Sequence, residues 1–411
     1  MSKFAELIRL EDPDFYLDNP YPILQLLRKE EPVFYYEPMN MWVMSKYADI
    51  RYVGQTPGIF TSEEGMHFND FRRREFGGVF ERFGNITKAF FRPESEILSM
   101  IGPPRHNEIR AIVGAAFSPR IVAAMREQVR TMCRNLLEPI EAGKTVNWSR
   151  QVAEPLPLMV IAILLGWPMD QLELLKYYSD QIIKIGLDVT EKDVEEILER
   201  LVPLYEFFDM RLAEREKNPT DDLITTLMQA RKAGQISTDT VYMLLSGILT
   251  AGNETTRNTI NGAIILLSEN PDQMKLLVSR PDLVKSATEE FLRYVTPVRG
   301  FGRTVTQETE VRGQKLAAGQ HVYNFFMSGN RDEEAFEDPE KFDLARPRST
   351  QNLSFGFGQH FCIGASLARM EINVLFEELI GRFSQVAIDG TPFRDKVLQY
   401  NMWADVKTVF H

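Results

Sequence analysis

Phe355-Gly356-Phe357-Gly358-Gln359-His360-Phe361-Cys362-Ile363-Gly364 is the stretch on which the 411-residue chain turns, and a helical run from Ala365 to Phe383 follows at once. Three glycines in ten residues mark a loop that visits backbone conformations closed to other residues, and Cys362 sits where that loop hands over to the helix. A sulfur there faces free amides and the positive end of a helix dipole, a combination that favours thiolate. Such a thiolate serves as a nucleophile or as a metal ligand. Phe355, Phe357 and Phe361 would wrap it in apolar surface, which suits a ligand to a large flat cofactor better than a redox-active thiol that needs access. Taken alone, a cysteine beside a glycine loop is more often a buried small hydrophobe.

With 44% hydrophobic and 11% aromatic residues the chain can bury a large core, and nothing in it reads as disordered. A net charge of −11, with no basic tract interleaved with aromatics, sets nucleic acid aside as a partner. Two cysteines, Cys133 and Cys362, exclude a disulfide framework and fit a reducing compartment; Cys133, in a helical pattern from Met125 to Leu137, reads as core. His67, His106, His321, His360 and His411 show no zinc-ligand spacing. Met1 to Asp12 carries no signal peptide, and no window reaches about 18 uninterrupted apolar residues. A cytoplasmic protein without a membrane anchor is expected.

Along the chain, Asn19-Pro20 marks a turn, Pro22 to Arg28 a short helix, and Val33 to Tyr36 with Met41 to Met44 a hairpin about Pro38-Met39-Asn40. Residues 60 to 101 are rich in Phe, Arg and Gly, with Phe68, Phe71, Phe76, Phe80, Phe83, Phe90 and Phe91 weakly periodic. Such a loop is either functional or a source of ordinary core aromatics. Pro103-Pro104-Arg105-His106-Asn107-Glu108-Ile109-Arg110 starts a helix that puts His106 and Arg110 on one face. Those two basic groups repel unless an anion lies between them, or the face is simply solvated. Val152 to Trp167 reads as a buried helix closed by Gly166-Trp167-Pro168, and 170 to 216 as two amphipathic helices broken around Gly186 to Thr190.

The longest periodic stretch runs from about Ser237 to Glu269 and ends at Asn270-Pro271, a helix of roughly 50 Å. Its middle, Leu249-Thr250-Ala251-Gly252-Asn253-Glu254-Thr255-Thr256, is polar inside an apolar helix and contains a glycine that costs about 1 kcal/mol relative to alanine. Ile248, Ala251, Gly252, Thr255 and Thr259 form one stripe, small at its centre, where something flat can approach the backbone. Close helix packing with a threonine bonded back to a carbonyl explains the same pattern. Glu290 and Arg293, at i and i+3, would ordinarily be an exposed pair worth about 0.2–0.5 kcal/mol. Residues 298 to 326 alternate as strands with turns at Arg312-Gly313 and Ala318-Gly319, and a strand-like tail follows Phe383.

The ten-residue string at 355–364 resembles the heme-binding loop of the cytochrome P-450 family, Phe-Gly-x-Gly-x-His-x-Cys-x-Gly, at every fixed position, and Ala365-Ser366-Leu367-Ala368-Arg369-Met370-Glu371 looks like that family's proximal helix. Pro103-Pro104-x-His106-x-x-x-Arg110, Ala251-Gly252-x-Glu254-Thr255-Thr256 and Glu290-x-x-Arg293 are similar to the family's other motifs and stand in its order, from about Pro20 onward. The resemblance implies a mainly α protein with small β-sheets and a single domain, 1–411, its β-rich part at about 20–60 and 298–326. It implies heme b between the long helix and the Cys362 loop, with Cys362 the axial thiolate and Phe355, Gly356, Gly364, Ala251 and Gly252 beside the cofactor. His106, Arg110, Arg303 and His360 would hold the two propionates, Glu254 and Thr255 would bring protons to dioxygen, and Glu290, Arg293 and Arg346 would form a structural charge network.

The function implied is insertion of one dioxygen atom into a hydrophobic small organic substrate. No Gly-x-Gly-x-x-Gly signature and no length for a flavin domain remain, so electrons come from a ferredoxin and its reductase to a monomeric enzyme. Arg105 and Arg369 would offer the docking charges. Arg299 would either meet a substrate carboxylate or point to solvent, and Tyr400-Asn401-Met402-Trp403 would dip into the pocket. Two rivals stand beside this: a peroxide-using heme-thiolate peroxygenase and a non-catalytic heme-thiolate sensor.

Overall fold

The computed structural model describes residues 2–67, 70, 95–185, 191–220, 222–347 and 351–411. The phenylalanines from Phe68 to Phe91 and the expected break at Gly186 to Thr190 lie outside the described residues. The principal helices are α1 (Tyr21–Glu30), α2 (Tyr47–Gln55), α3 (Arg105–Gly114), α4 (Pro119–Leu137), α5 (Pro155–Leu165), α6 (Leu172–Ile185), α7 (Glu191–Lys217), α8 (Leu223–Lys232), α9 (Thr238–Glu269), α10 (Val284–Val295) and α11 (Ala365–Ile380). Helices dominate because apolar residues recur at three- and four-residue spacing. In α10, Val284, Ala287, Thr288, Phe291, Leu292 and Val295 make one buried face. Each large apolar side chain so buried contributes roughly 1.5–3 kcal/mol.

Local chemistry sets the helix ends. At the start of α9, Ser237 Oγ accepts the Thr240 amide at 3.0 Å, an N-cap bond. The helix stops at Asn270, where Pro271 begins the next one. Helix α5 ends at Gly166, φ +62°, where the Trp167 amide donates to Ala162 O at 2.7 Å; a left-handed residue suits glycine there.

The main sheet has five strands in the order β1-β2-β5-β4-β3, with β1 Val33–Tyr36, β2 Met41–Met44, β3 Phe60–Thr61, β4 Phe301–Val305 and β5 His321–Asn324. The expected hairpin pairs Val33 with Met44 and Tyr36 with Met41, and β2 then runs parallel to β5, Met41 opposite His321. The two β-rich stretches therefore share one sheet. Arg312 (φ +49°) and Gly313 (φ +79°) turn a separate hairpin, Thr309–Val311 with Gln314–Leu316, as a two-residue turn with both residues left-handed should. The tail pairs Lys407–Phe410 with Val386–Ile388 and with Thr145–Asn147.

Two compact units emerge: residues 1–68, 126–156 and 255–411, and residues 69–125 and 157–254. In the first, α2 packs on the sheet through Tyr47, Ile50 and Val53 against Phe60, Val305, Val322 and Phe326. In the second, α7 packs on α6 and α8, and α3 on α8.

Candidate functional site

In the first unit the glycine loop leads into α11. Gly356 and Gly358 have φ of +69° and +76°, the left-handed conformation the glycines were expected to supply. The loop closes on itself: the Cys362 amide donates to Phe355 O at 2.9 Å and the Phe361 amide to Gly358 O at 3.1 Å. Cys362 is exposed, and Gly364 leaves its sulfur room, since a Cβ built there would stand 3.9 Å from Sγ. The expected apolar wrap needs correcting. Phe355 is buried, its ring 6.2 Å from that of Phe361, but Phe361 is itself 37% exposed, and Phe357 packs into the core between sheet and α2. Cys133 is buried, and its thiol is pushed up by that burial, so it stays a neutral core group.

Arg303 on β4 is 8% exposed and makes one hydrogen bond, Nη1 to Gly302 O at 2.6 Å, with no carboxylate partner among the described residues. Burial lowers its guanidinium to about 10. His360 Nε2 lies 3.2 Å from Ser62 Oγ. Arg299 does not point to solvent: it is buried, Nε donates to Asn401 Oδ1 at 3.0 Å, Nη1 donates to Leu398 O at 2.8 Å, and its Cζ sits 4.1 Å from the Tyr16 ring. Burial brings it, too, to about 10. It staples the segment before Asn401 in place. Asn401 and Trp403, from the stretch expected at a pocket, line a cavity of about 500 Å³ with Tyr16, Ile265, Glu269 and Arg394, apart from the residues expected to hold the cofactor.

Glu290, Arg293 and Arg346 meet in one buried cluster. Glu290 and Arg293 are 0% exposed, and both Arg293 Nε and Nη2 donate to the carboxylate at 2.8 Å. Arg346 Nε reaches Glu290 Oε1 at 3.0 Å, and Arg293 Nη1 donates to the carbonyls of Asn330 (2.7 Å) and Pro339 (2.9 Å). The surface-pair reading of Glu290 and Arg293 is thereby set aside, because a buried pair with every donor engaged is costly to break. Two neighbours escaped the sequence reading. Asn330 accepts the Leu353 amide at 2.6 Å and donates to Ser354 Oγ at 3.1 Å, just ahead of the glycine loop. Glu289 accepts from Arg369 Nη2 at 3.1 Å and from Asn352 Nδ2 at 3.0 Å. Isolated amides and a second glutamate in a Glu-Glu pair carry no spacing signal that could have found them.

The docking charges are corrected as well. Arg369 is engaged by Glu289, with its Cζ 4.4 Å from the Phe355 ring. In the second unit Arg105 is held by Glu96 at 2.6 Å and Glu108 at 2.9 Å. Neither is an open cation.

On α3, His106 is buried with Nδ1 3.2 Å from Asn107 Oδ1, and Arg110 lies one turn on. Burial lowers the imidazole and the Arg110 charge lowers it further, against the bond to Asn107. On α9, Gly247 and Ala251 are exposed and Ile248 half-buried, on a helix whose neighbouring turns are buried; nothing stands within 4 Å of a Cβ built on Gly247. Gly247, missed in the sequence, extends the open stripe. Gly252 does not belong to it: a Cβ there would lie 2.5 Å from Ile161 Cδ1, so its smallness serves the packing of α5 on α9. Glu254 is buried, with Oε1 3.4 Å from Asn253 Nδ2, and Thr255 O accepts the Thr259 hydroxyl at 2.9 Å.

A profile described as Cytochrome P450 matches residues 173–402. Linalool 8-monooxygenase of Pseudomonas putida is 34% identical over 381 residues, 91% of this chain and 91% of its own. Methyl-branched lipid omega-hydroxylase of Mycobacterium tuberculosis (strain ATCC 25618 / H37Rv) is 32% identical over 383 residues, 90% and 86%. Among solved structures, CYP109E1 from Bacillus megaterium in complex with corticosterone superposes with a TM-score of 0.80 at 30% identity, covering 95% of this chain and 98% of that one. The chain belongs to the cytochrome P450 family, heme-dependent monooxygenases that work with redox partners. Within the first unit the residues fit a heme: an exposed thiol at a helix start and a buried cation with no carboxylate partner among the described residues. No helix among the described residues is long and apolar enough to cross a membrane.

Proposed function

We propose that the protein inserts one atom of dioxygen into a hydrophobic small molecule while the other leaves as water, using two electrons from a separate ferredoxin and its reductase. Heme b, when bound, supplies the oxidative chemistry. Cys362 is its thiolate ligand; Arg303, His360, His106 and Arg110 hold its propionates by charge-assisted hydrogen bonds. Ala251, with Gly247 and Ile248, offers the helix face on which a flat ring rests. Phe355, Gly356 and Gly364 shape the thiolate's surroundings, and Glu290, Arg293 and Arg346 hold the loop's foundation. The Glu254 carboxyl and the Thr255 hydroxyl hold and pass the protons that the reaction consumes, a role worth typically 10²–10⁴ in rate. The enzyme is taken as one functional domain, monomeric and cytoplasmic.

The observation that carries this reading is Arg303, a buried guanidinium with no acid beside it among the described residues, on the same unit as an exposed cysteine at a helix start. Relatives named for linalool and for methyl-branched lipids, and a structure holding corticosterone, support an apolar substrate. Expression with ample porphyrin should give a coloured protein whose reduced carbon monoxide complex shows the long-wavelength Soret band of thiolate ligation. A colourless chain overturns the reading. A terpene, lipid and steroid panel screened by Soret shift then finds the substrate class.

A further inference from the structure

Helix α2 meets the cysteine loop at two points one turn apart. At Gly54, backbone rests on backbone: a Cβ built there would stand 2.7 Å from Phe357 O, and one built on Gly358 would run into the Gly54 carbonyl. Neither atom can yield as the end of a flexible side chain can, so the spacing of helix and loop is fixed by two glycines 304 positions apart. Three residues earlier on the same helix face, the Arg51 guanidinium lies 4.2 Å from the Phe357 ring centroid and 5.6 Å from that of Tyr47.

This guanidinium is unusual in its company. Its Nε is buried without a hydrogen-bond partner, and among the described residues no carboxylate pairs with it. The Tyr47 hydroxyl donates to Gln351 O at 2.8 Å and its oxygen accepts from the Arg51 guanidinium, a neutral partner that brings no opposing charge. Two aromatic faces hold the cation, an interaction worth about 0.5–2 kcal/mol according to desolvation. Its charge is therefore not cancelled locally, as those of Arg293 and Arg346 are by Glu290. Its seat, Phe357, stands five residues ahead of Cys362 in a loop whose chain closes through the Cys362 amide on Phe355 O. A fixed positive charge lowers the energy of negative charge nearby, the more so where a bound cofactor excludes water.

We propose that Arg51 and Gly54 are positioning residues for the Cys362 thiolate: Gly54 sets the height of the loop, and Arg51, seated on Phe357, sets how strongly the sulfur donates to its metal. The proposal rests on the heme-thiolate reading above. A positive charge beside the thiolate weakens its donation and so favours the reduced metal.

The test is the reduction potential of the substrate-free holoprotein, measured by spectroelectrochemical titration in wild type, Arg51→Gln, Arg51→Lys and Phe357→Leu. Arg51→Gln should move the reduction equilibrium about threefold toward the oxidised form, about 28 mV lower at 59 mV per tenfold. Arg51→Lys should stay at the wild-type value, because charge and not shape carries the effect. Phe357→Leu, which removes the seat and frees the guanidinium to solvent, should move in the same direction as Arg51→Gln. Gly54→Ala should convert the long-wavelength carbon monoxide band to the short-wavelength one. An Arg51→Gln potential equal to wild type, or an Arg51→Lys shift as large as that of Arg51→Gln, overturns the proposal. If Arg51→Gln takes up no heme, Phe357→Leu decides, and an unchanged potential there overturns it. A wild-type protein without the long-wavelength band overturns the heme-thiolate reading itself, which is a separate result.

Discussion

A guanidinium buried on β4 with one backbone hydrogen bond is expensive, because desolvating a charge without a counter-charge costs several kcal/mol. If Arg303 awaits an anionic cofactor, Arg303→Met should act in opposite directions on the two forms of the protein. The heme-free chain should gain thermal stability by about 1–3 kcal/mol, while the loaded protein should lose heme faster in a transfer assay to apomyoglobin. A variant that destabilises both forms alike would make Arg303 a plain structural residue. Glu371 on α11 poses the converse problem: it is buried, its Oε2 has no partner among the described residues, and burial raises its carboxyl well above the usual range. The folded chain then holds a proton that the unfolded chain has released. Its contribution to stability is full below the ordinary glutamate value of about 4.3 and declines as pH rises through the raised value. Glu371→Gln, which cannot ionise, should unfold like the wild type near pH 4 and at a higher temperature near pH 8. Parallel melting curves for the two proteins across that range would count against it.

Periodicity reads single elements well and pairings between them poorly. The face of α10, the limits of α9 and the hairpin β1–β2 are written in local spacing, and Thr238–Glu269 differs from the expected 237–269 by one residue. The parallel pairing of β2 with β5 joins residues 280 apart, and the strand Thr145–Asn147 exists only because Lys407–Phe410 lies beside it. No local pattern encodes either. The same limit explains Gly252: its place on a stripe was legible, but which neighbour used its smallness was not. Since the nearest obstacle is the end of the Ile161 side chain, Gly252→Ala should cost about 1–3 kcal/mol, the usual range for overpacking. Ile161→Val removes that Cδ1, so the double variant should recover most of the loss. A double-mutant cycle in denaturant measures the coupling, and strict additivity would show that the two residues do not share the space.

At the level of the molecule, the motif residues were legible because each sits in a short, rigid string, whereas the residues that support them, Asn330, Glu289 and Gly54, sit alone in the sequence and acquire meaning only by contact. Charge was legible only as a sum. The net −11 conceals that Arg105 and Arg369, the expected docking cations, are already held by this chain's own glutamates. What remains to separate is the enzyme that takes dioxygen and electrons from the one that takes peroxide. Peroxide arrives already reduced by two electrons and carrying two protons, so it needs no net supply of either, whereas dioxygen needs both. Glu254 is buried in mid-helix beside Thr255, an acid next to a hydroxyl of the kind that proton delivery to dioxygen calls for. Retention of the pair therefore favours dioxygen. Thr255→Ala should keep the substrate-induced Soret shift, yet with ferredoxin, reductase and reductant its product per electron pair should fall about tenfold, the missing electrons appearing as released hydrogen peroxide. Supplied with peroxide directly, variant and wild type should turn over within about twofold of each other, because the step that Thr255 serves is then bypassed. Should the wild type make product from peroxide as fast as from the electron carriers, and the variant be unimpaired with both, the peroxide-using reading takes its place.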